Sequence, residues 1–101
     1  MSYRIETAPG VGAEIKALPG YVKAEARRII AQLAHGPYPP RTQELRGISG
    51  VYRIWLVGRW RIVYAVDESQ QLVRILRVRR KEQIDYARLG SQQQPENEES
   101  Q

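Results

Sequence analysis

The sequence predicts an α+β domain, an antiparallel sheet with two N-terminal helices packed on one face. Two patterns predict it. Apolar residues recur at three- and four-residue spacing between Val11 and Leu33, and they alternate with polar residues at strand period from Val51 to Val78. Two successive helices followed by a meander bury their apolar surfaces most simply as a helical layer over one face of such a sheet, which leaves the other face open.

The elements follow in order. Residues 2–6 alternate Tyr3 and Ile5 with polar neighbours, a short strand that Pro9-Gly10 ends. Val11, Ile15 and Leu18 fit a short helix over residues 11–18, and Pro19-Gly20 stops it because proline disfavours helix in the residue before it. A second helix, residues 21–34, carries Val22, Ala26, Ile29, Ile30 and Leu33 on one stripe, with Lys23, Arg27 and Arg28 elsewhere. His35-Gly36-Pro37 supplies a glycine stop with proline just beyond, and Tyr38-Pro39-Pro40 leads out as an extended linker. Strands over residues 51–57, 60–66 and 72–78 are joined by Gly58-Arg59 and by a polar turn at 67–71. By parity Tyr52, Ile54, Trp60, Ile62 and Tyr64 face the helices, while Arg53, Trp55, Arg59 and Arg61 lie on the open side. Residues 83–89 fit one or two helical turns. The Gln/Glu-rich segment 91–101 has no means of burying itself and reads as a disordered acidic tail after a single domain of residues 1–90.

Composition narrows the function classes. A chain of 101 residues buries roughly two-thirds of its unfolded surface, enough for one modest core without metal or disulfide. With no Cys there is no thiol nucleophile, cysteine-held zinc or disulfide framework, and the scattered acids and single His35 make no metal site. No metal or cofactor is expected. No apolar run approaches the ~20 residues of a membrane span and the start shows no signal-peptide pattern, so the expected location is the cytoplasm, away from membranes. All sixteen Lys and Arg fall in residues 1–90 against eight acids, a net of +8 where the whole chain carries +5. Thirteen of the sixteen are Arg, whose planar fork pairs bidentately with phosphate, so a polyanion is the default partner.

Glu44-Leu45-Arg46-Gly47, Val51-Tyr52-Arg53-Ile54 and Trp60-Arg61-Ile62-Val63-Tyr64, closing with Val78-Arg79-Arg80-Lys81 and Tyr86, resemble in order and spacing the RelE/ParE superfamily of bacterial toxins from type II toxin–antitoxin modules. The likeness spans about residues 2–89 and implies a RelE-like β-α-α-β-β-β(-α) fold. It implies an acidic, largely unstructured antitoxin as partner. The RelE branch further implies a metal-independent endoribonuclease that cuts mRNA in the ribosomal A site, the ParE branch an inhibitor of DNA gyrase. A degenerate member would bind only its antitoxin and operator DNA. The basic cluster favours the RelE branch. Carried over by position, the catalytic group is Arg53, Arg61, Arg80, Lys81 and Tyr86, with Trp55, Arg59, Arg77 and Arg79 as RNA-binding residues. The chain departs from the family pattern at Trp55, where some potent members have lysine, and at Arg79, where many have histidine.

RNA cleavage by its own 2′-hydroxyl needs a proton removed from that oxygen, a phosphorane stabilised and the 5′-oxygen protonated. Arginines serve the middle need but carry protons poorly. Lys81, flanked by Arg79 and Arg80, is therefore the expected leaving-group residue beside Arg80, and Tyr86 the residue that orients the nucleotide.

Overall fold

The computed structural model describes residues 2–84. The chain runs β1 (Arg4–Thr7), α1 (Val11–Lys16), α2 (Gly20–Leu33), β2 (Gln43–Glu44), β3 (Val51–Trp55), β4 (Trp60–Asp67) and β5 (Leu72–Arg80), then a 3₁₀ turn at Lys81–Gln83. Five strands form one sheet in the order β1-β5-β4-β3-β2. The predicted α+β architecture with two helices before the meander is what is found.

One pairing differs from an all-antiparallel sheet: β1 lies parallel to β5, with Arg4 opposite Leu72 and Thr7 opposite Ile75. The cause is the helices. They follow β1 at one edge and deliver the chain to β2 at the other, so the meander β3-β4-β5 folds back towards β1 and meets it in the same direction. The other pairings are antiparallel, with Tyr52 opposite Tyr64 and Ile62 opposite Val78. Gly58 (φ +62) makes the β3–β4 connection, closed by a 3.2 Å hydrogen bond from Trp60 N–H to Val57 C=O.

Val22, Ala26, Ile29 and Leu33 of α2 join Val11 and Leu18 against Ile54, Ile62, Tyr64, Ile75 and Val78 in the core. Tyr64 is fully buried, whereas Tyr52 and Trp60, also expected in the core, are half-buried at its margin. β5 continues two residues beyond the predicted end, so Arg79 and Arg80 belong to the strand rather than to a basic run after it. A register shift between Val63 and Tyr64 leaves Leu76 as an extra residue in β5, a β-bulge. Its consequence is exact in parity terms: Arg74, Arg77 and Arg79 share one face while Val73, Ile75 and Val78 share the core face. A regular strand cannot do this, since Arg74 and Arg77 stand three apart. The segment expected to be a disordered tail and most of the predicted C-terminal turn lie outside the described residues.

Candidate functional site: an arginine face on the sheet

Residues directly opposed on antiparallel strands project from the same face. Two neighbouring rows define the site. Arg53, Val63 and Arg77 form one, and Trp55, Arg61 and Arg79 form the next, about 7 Å along the strands. Four arginines from three strands thus meet in these two rows, Arg53 and Arg61 on the face that parity predicted and Arg77 and Arg79 brought there by the bulge.

Opposed like charges repel, and each row carries a cationic pair or near-pair, so the face needs compensation. It is supplied locally. Arg53 Nη2 donates to Gln43 Oε1 at 2.6 Å across the β2–β3 pair. The Arg61 guanidinium carbon lies 4.0 Å from the centre of the Trp55 ring, a cation–π contact. Arg79 Nε donates to Glu14 Oε2 of α1 at 2.5 Å, and Arg77 Nη1 donates to the Leu76 carbonyl at 2.6 Å.

One expectation is corrected. Parity places Arg61 on the open side of the sheet, but the residue is 3% exposed. It occupies the central strand with Trp55 opposite it on one side and Arg79 on the other, in contact with the indole. Two acids of the neighbouring segments, Glu44 and Asp67, bond other groups. Glu44 accepts from the Gly50 N–H at 3.0 Å, and Asp67 accepts from Ser69 Oγ at 2.7 Å and Gln70 N–H at 3.2 Å.

The remaining candidates lie around the rim. Arg59, in the β3–β4 turn, is an exposed partner of Glu82 at 3.4 Å. The Glu82 carboxyl is held below its usual range first by its own backbone N–H and then by the Arg59 charge. Lys81 is exposed, and its N–H donates to the Arg59 carbonyl at 2.8 Å, extending the β4–β5 ladder by one step. Arg80 goes the other way. It is opposite Trp60, on the helix side of the sheet, with its guanidinium carbon 5.4 Å from the Trp60 ring. The structure therefore unites Arg53, Trp55, Arg61, Arg77 and Arg79, sets Arg59 and Lys81 at one end, and separates Arg80. Tyr86 lies outside the described residues.

Sequence reasoning missed two supports of this face, Gln43 and Glu14. Gln43 directly precedes the Glu44-Leu45-Arg46-Gly47 segment that the sequence singled out, but nothing local shows that it is opposite Arg53. Glu14 reads as an ordinary acid in the first turn of a helix. Among the described residues no group of three or more His, Cys, Asp or Glu is arranged to hold a metal ion, and no helix is long and apolar enough to cross a membrane.

Comparison with known proteins agrees with this architecture. A sequence profile described as the ParE toxin of type II toxin–antitoxin systems matches residues 5–85. A search of curated protein sequences finds no significant match. Among solved structures, the isolated RelE toxin of E. coli superposes with a TM-score of 0.71 at 19% identity, over 91% of this chain and 98% of that one. The archaeal RelE–RelB complex of Pyrococcus horikoshii OT3 gives 0.67 at 21% identity, over 83% and 100%. A YoeB/ParE toxin from Agrobacterium tumefaciens gives 0.68 at 14% identity, over 76% and 96%.

Proposed function

The chain belongs to the ParE toxin family of type II toxin–antitoxin systems, and from that premise we propose that it acts as an endoribonuclease, cutting mRNA on the ribosome and so arresting translation. The observation that carries this reading is the pair of cross-strand rows that gathers Arg53, Arg61, Arg77 and Arg79 around Trp55. Such a concentration of guanidinium groups on a sheet face suits a phosphodiester, whose charge grows as the phosphorane forms.

The step is a transesterification. The 2′-oxygen bonds to phosphorus as its proton passes to a water molecule, the P–O5′ bond breaks, and the 5′-oxygen takes a proton from the Lys81 ammonium, leaving a 2′,3′-cyclic phosphate and a 5′-hydroxyl. Arg53 and Arg61 hold the non-bridging oxygens, with Arg77 and Arg79 beside them. Lys81 serves the leaving group, a role the placement of Arg80 over Trp60 suits less well, and Arg80 adds attraction at a distance. Trp55 offers its exposed edge to a base, and Tyr86 orients the nucleotide. The chain's partner is an acidic antitoxin whose unstructured segment folds over the arginine face and excludes RNA from it.

A second reading, inhibition of DNA gyrase, has its own observation. Trp55 and Val57 are 39% and 38% exposed at the end of the β3–β4 hairpin, an apolar edge fitted to a protein surface and needing no proton transfer. The test is single-turnover incubation with programmed ribosomes and mapping of transcript ends. Cuts within the A-site codon, lost in Arg61→Ala, support the nuclease. Toxicity with intact messages and inhibited DNA supercoiling supports the gyrase reading instead.

A further inference from the structure

We propose that Glu14 is a positioning residue for the RNA-cleaving face, acting through Arg79; the inference rests on the nuclease reading given above. β1 pairs only with Leu72–Ile75 of β5, so the second half of β5 has no strand beside it on that side. α1 occupies that place, and Glu14 bridges to the strand with both carboxylate oxygens. Oε1 accepts the Val78 N–H at 2.9 Å, a backbone donor that a neighbouring strand would otherwise have satisfied. Oε2 accepts from Arg79 Nε at 2.5 Å. The carboxylate thus fixes the backbone of β5 and the first guanidinium nitrogen of the next residue with one planar group.

The geometry is that of a buttress. Glu14 engages Arg79 through Nε, and Nη1 reaches the Gln83 carbonyl at 3.4 Å in the turn that begins with Lys81. Arg79 is therefore tied to both the helix and the turn that carries the proposed leaving-group residue. The Glu14 side chain is 17% exposed against 40% for Arg79, so the acid is the sheltered member of the pair and the arginine presents itself to solvent. Like charge on Arg61, directly opposite Arg79, would push an unrestrained guanidinium away from the row. The carboxylate opposes that displacement.

Glu14→Gln separates the two duties. The amide oxygen still accepts the Val78 N–H, while the charge that restrains Arg79 is gone. The experiment compares wild type, Glu14→Gln, Arg79→Ala and the double variant on programmed ribosomes, with urea midpoints measured in parallel. A misplacement of about 1 Å at a reacting centre can cost ~100-fold, so Glu14→Gln is expected to lower kcat by about tenfold or more with KM changed less than about twofold. The double variant is expected to be no slower than Arg79→Ala alone, because the acid acts only through that arginine. Wild-type kcat in Glu14→Gln, or losses that multiply in the double variant, overturn the role of Glu14 and leave the nuclease reading standing. A wild-type chain that leaves programmed messages uncut overturns both. If Glu14→Gln lowers the urea midpoint enough to explain lost activity, Glu14→Asp, which keeps the charge on a shorter arm, decides: partial recovery of kcat without recovery of the midpoint supports the positioning role, and recovery of the midpoint alone overturns it.

Discussion

Position 61 joins two demands that usually conflict, burial and positive charge. Arg61 meets them by lying over the Trp55 ring in the middle of the sheet, where the delocalised guanidinium is more easily desolvated than an ammonium. Lysine keeps the charge but neither the plane nor the fork. Arg61→Lys is therefore expected to lose ~100-fold or more in single-turnover cleavage, as removal of a transition-state donor does, rather than to act as a conservative change. Activity near wild type in that variant would remove Arg61 from the phosphate. Tyr64 is a purely structural counterpart on the other face. Burial pushes its phenol up to about 12, its hydroxyl donates to the Pro37 carbonyl at 2.7 Å and lies 2.9 Å from Thr42 Oγ1. It ties the linker after α2 to the sheet. Tyr64→Phe leaves the Pro37 carbonyl without that donor and should cost about 1–3 kcal/mol in urea unfolding. An unchanged midpoint would show that the linker finds another donor.

At the scale of elements, face parity on β3 and β4 was legible because a strand's period of two is unambiguous over Val51–Trp55 and Trp60–Asp67. β5 was not. Its arginines at 74, 77 and 79 fit no single period, and only the bulge at Leu76 reconciles them. The three-residue step from Arg74 to Arg77 was the visible trace of that bulge, but the same step also fits a strand that is apolar on both faces. The parallel β1–β5 pairing and the reach of Glu14 to β5 join residues more than sixty apart, and no local pattern encodes them. The same holds for the knot that fastens β1 to the β4–β5 turn. There Glu68 accepts the Tyr3 hydroxyl at 2.8 Å and also the Tyr38 hydroxyl. These phenols, Tyr38 first, hold the Glu68 carboxyl below its ordinary 4.5, and Glu68 in turn raises both phenols, for Tyr38 after burial. A carboxyl whose folded value is depressed gives stability above its unfolded pKa and loses it as pH falls through the folded value. Raised phenols give stability that is complete below their unfolded 10.0 and is lost as pH rises through the folded values. Thermal midpoints should therefore be level between about pH 5 and 9 and fall on both sides. Glu68→Gln should make the acid fall shallower, and an identical acid limb in that variant would dismiss the knot as a pH-dependent fastening.

For the molecule as a whole, charge is distributed by face as well as in total. Residues 1–90 carry sixteen bases against eight acids, and the two rows of the site hold four of those bases, with Arg74 one row further along the same face, while Arg80 stands over Trp60 on the other side. Net charge draws any polyanion towards the molecule, but only side chains that replace counterions on the bound strand steepen the salt dependence. Binding of single-stranded RNA, made uncleavable by a 2′-deoxy at the scissile position, should follow a log–log salt slope of about −2, equivalent to roughly three phosphates at ~0.7 each. Arg53→Ala should flatten that slope by about 0.7, since its guanidinium is on the face, where it donates to the neutral Gln43 amide. Arg80→Ala should weaken binding slightly while leaving the slope near its wild-type value, because a charge on the far side contributes attraction at a distance rather than a phosphate contact. Equal flattening by the two variants would mean that RNA wraps around the sheet edge to engage both faces, and the grouping of the site into two rows on one face would then be wrong.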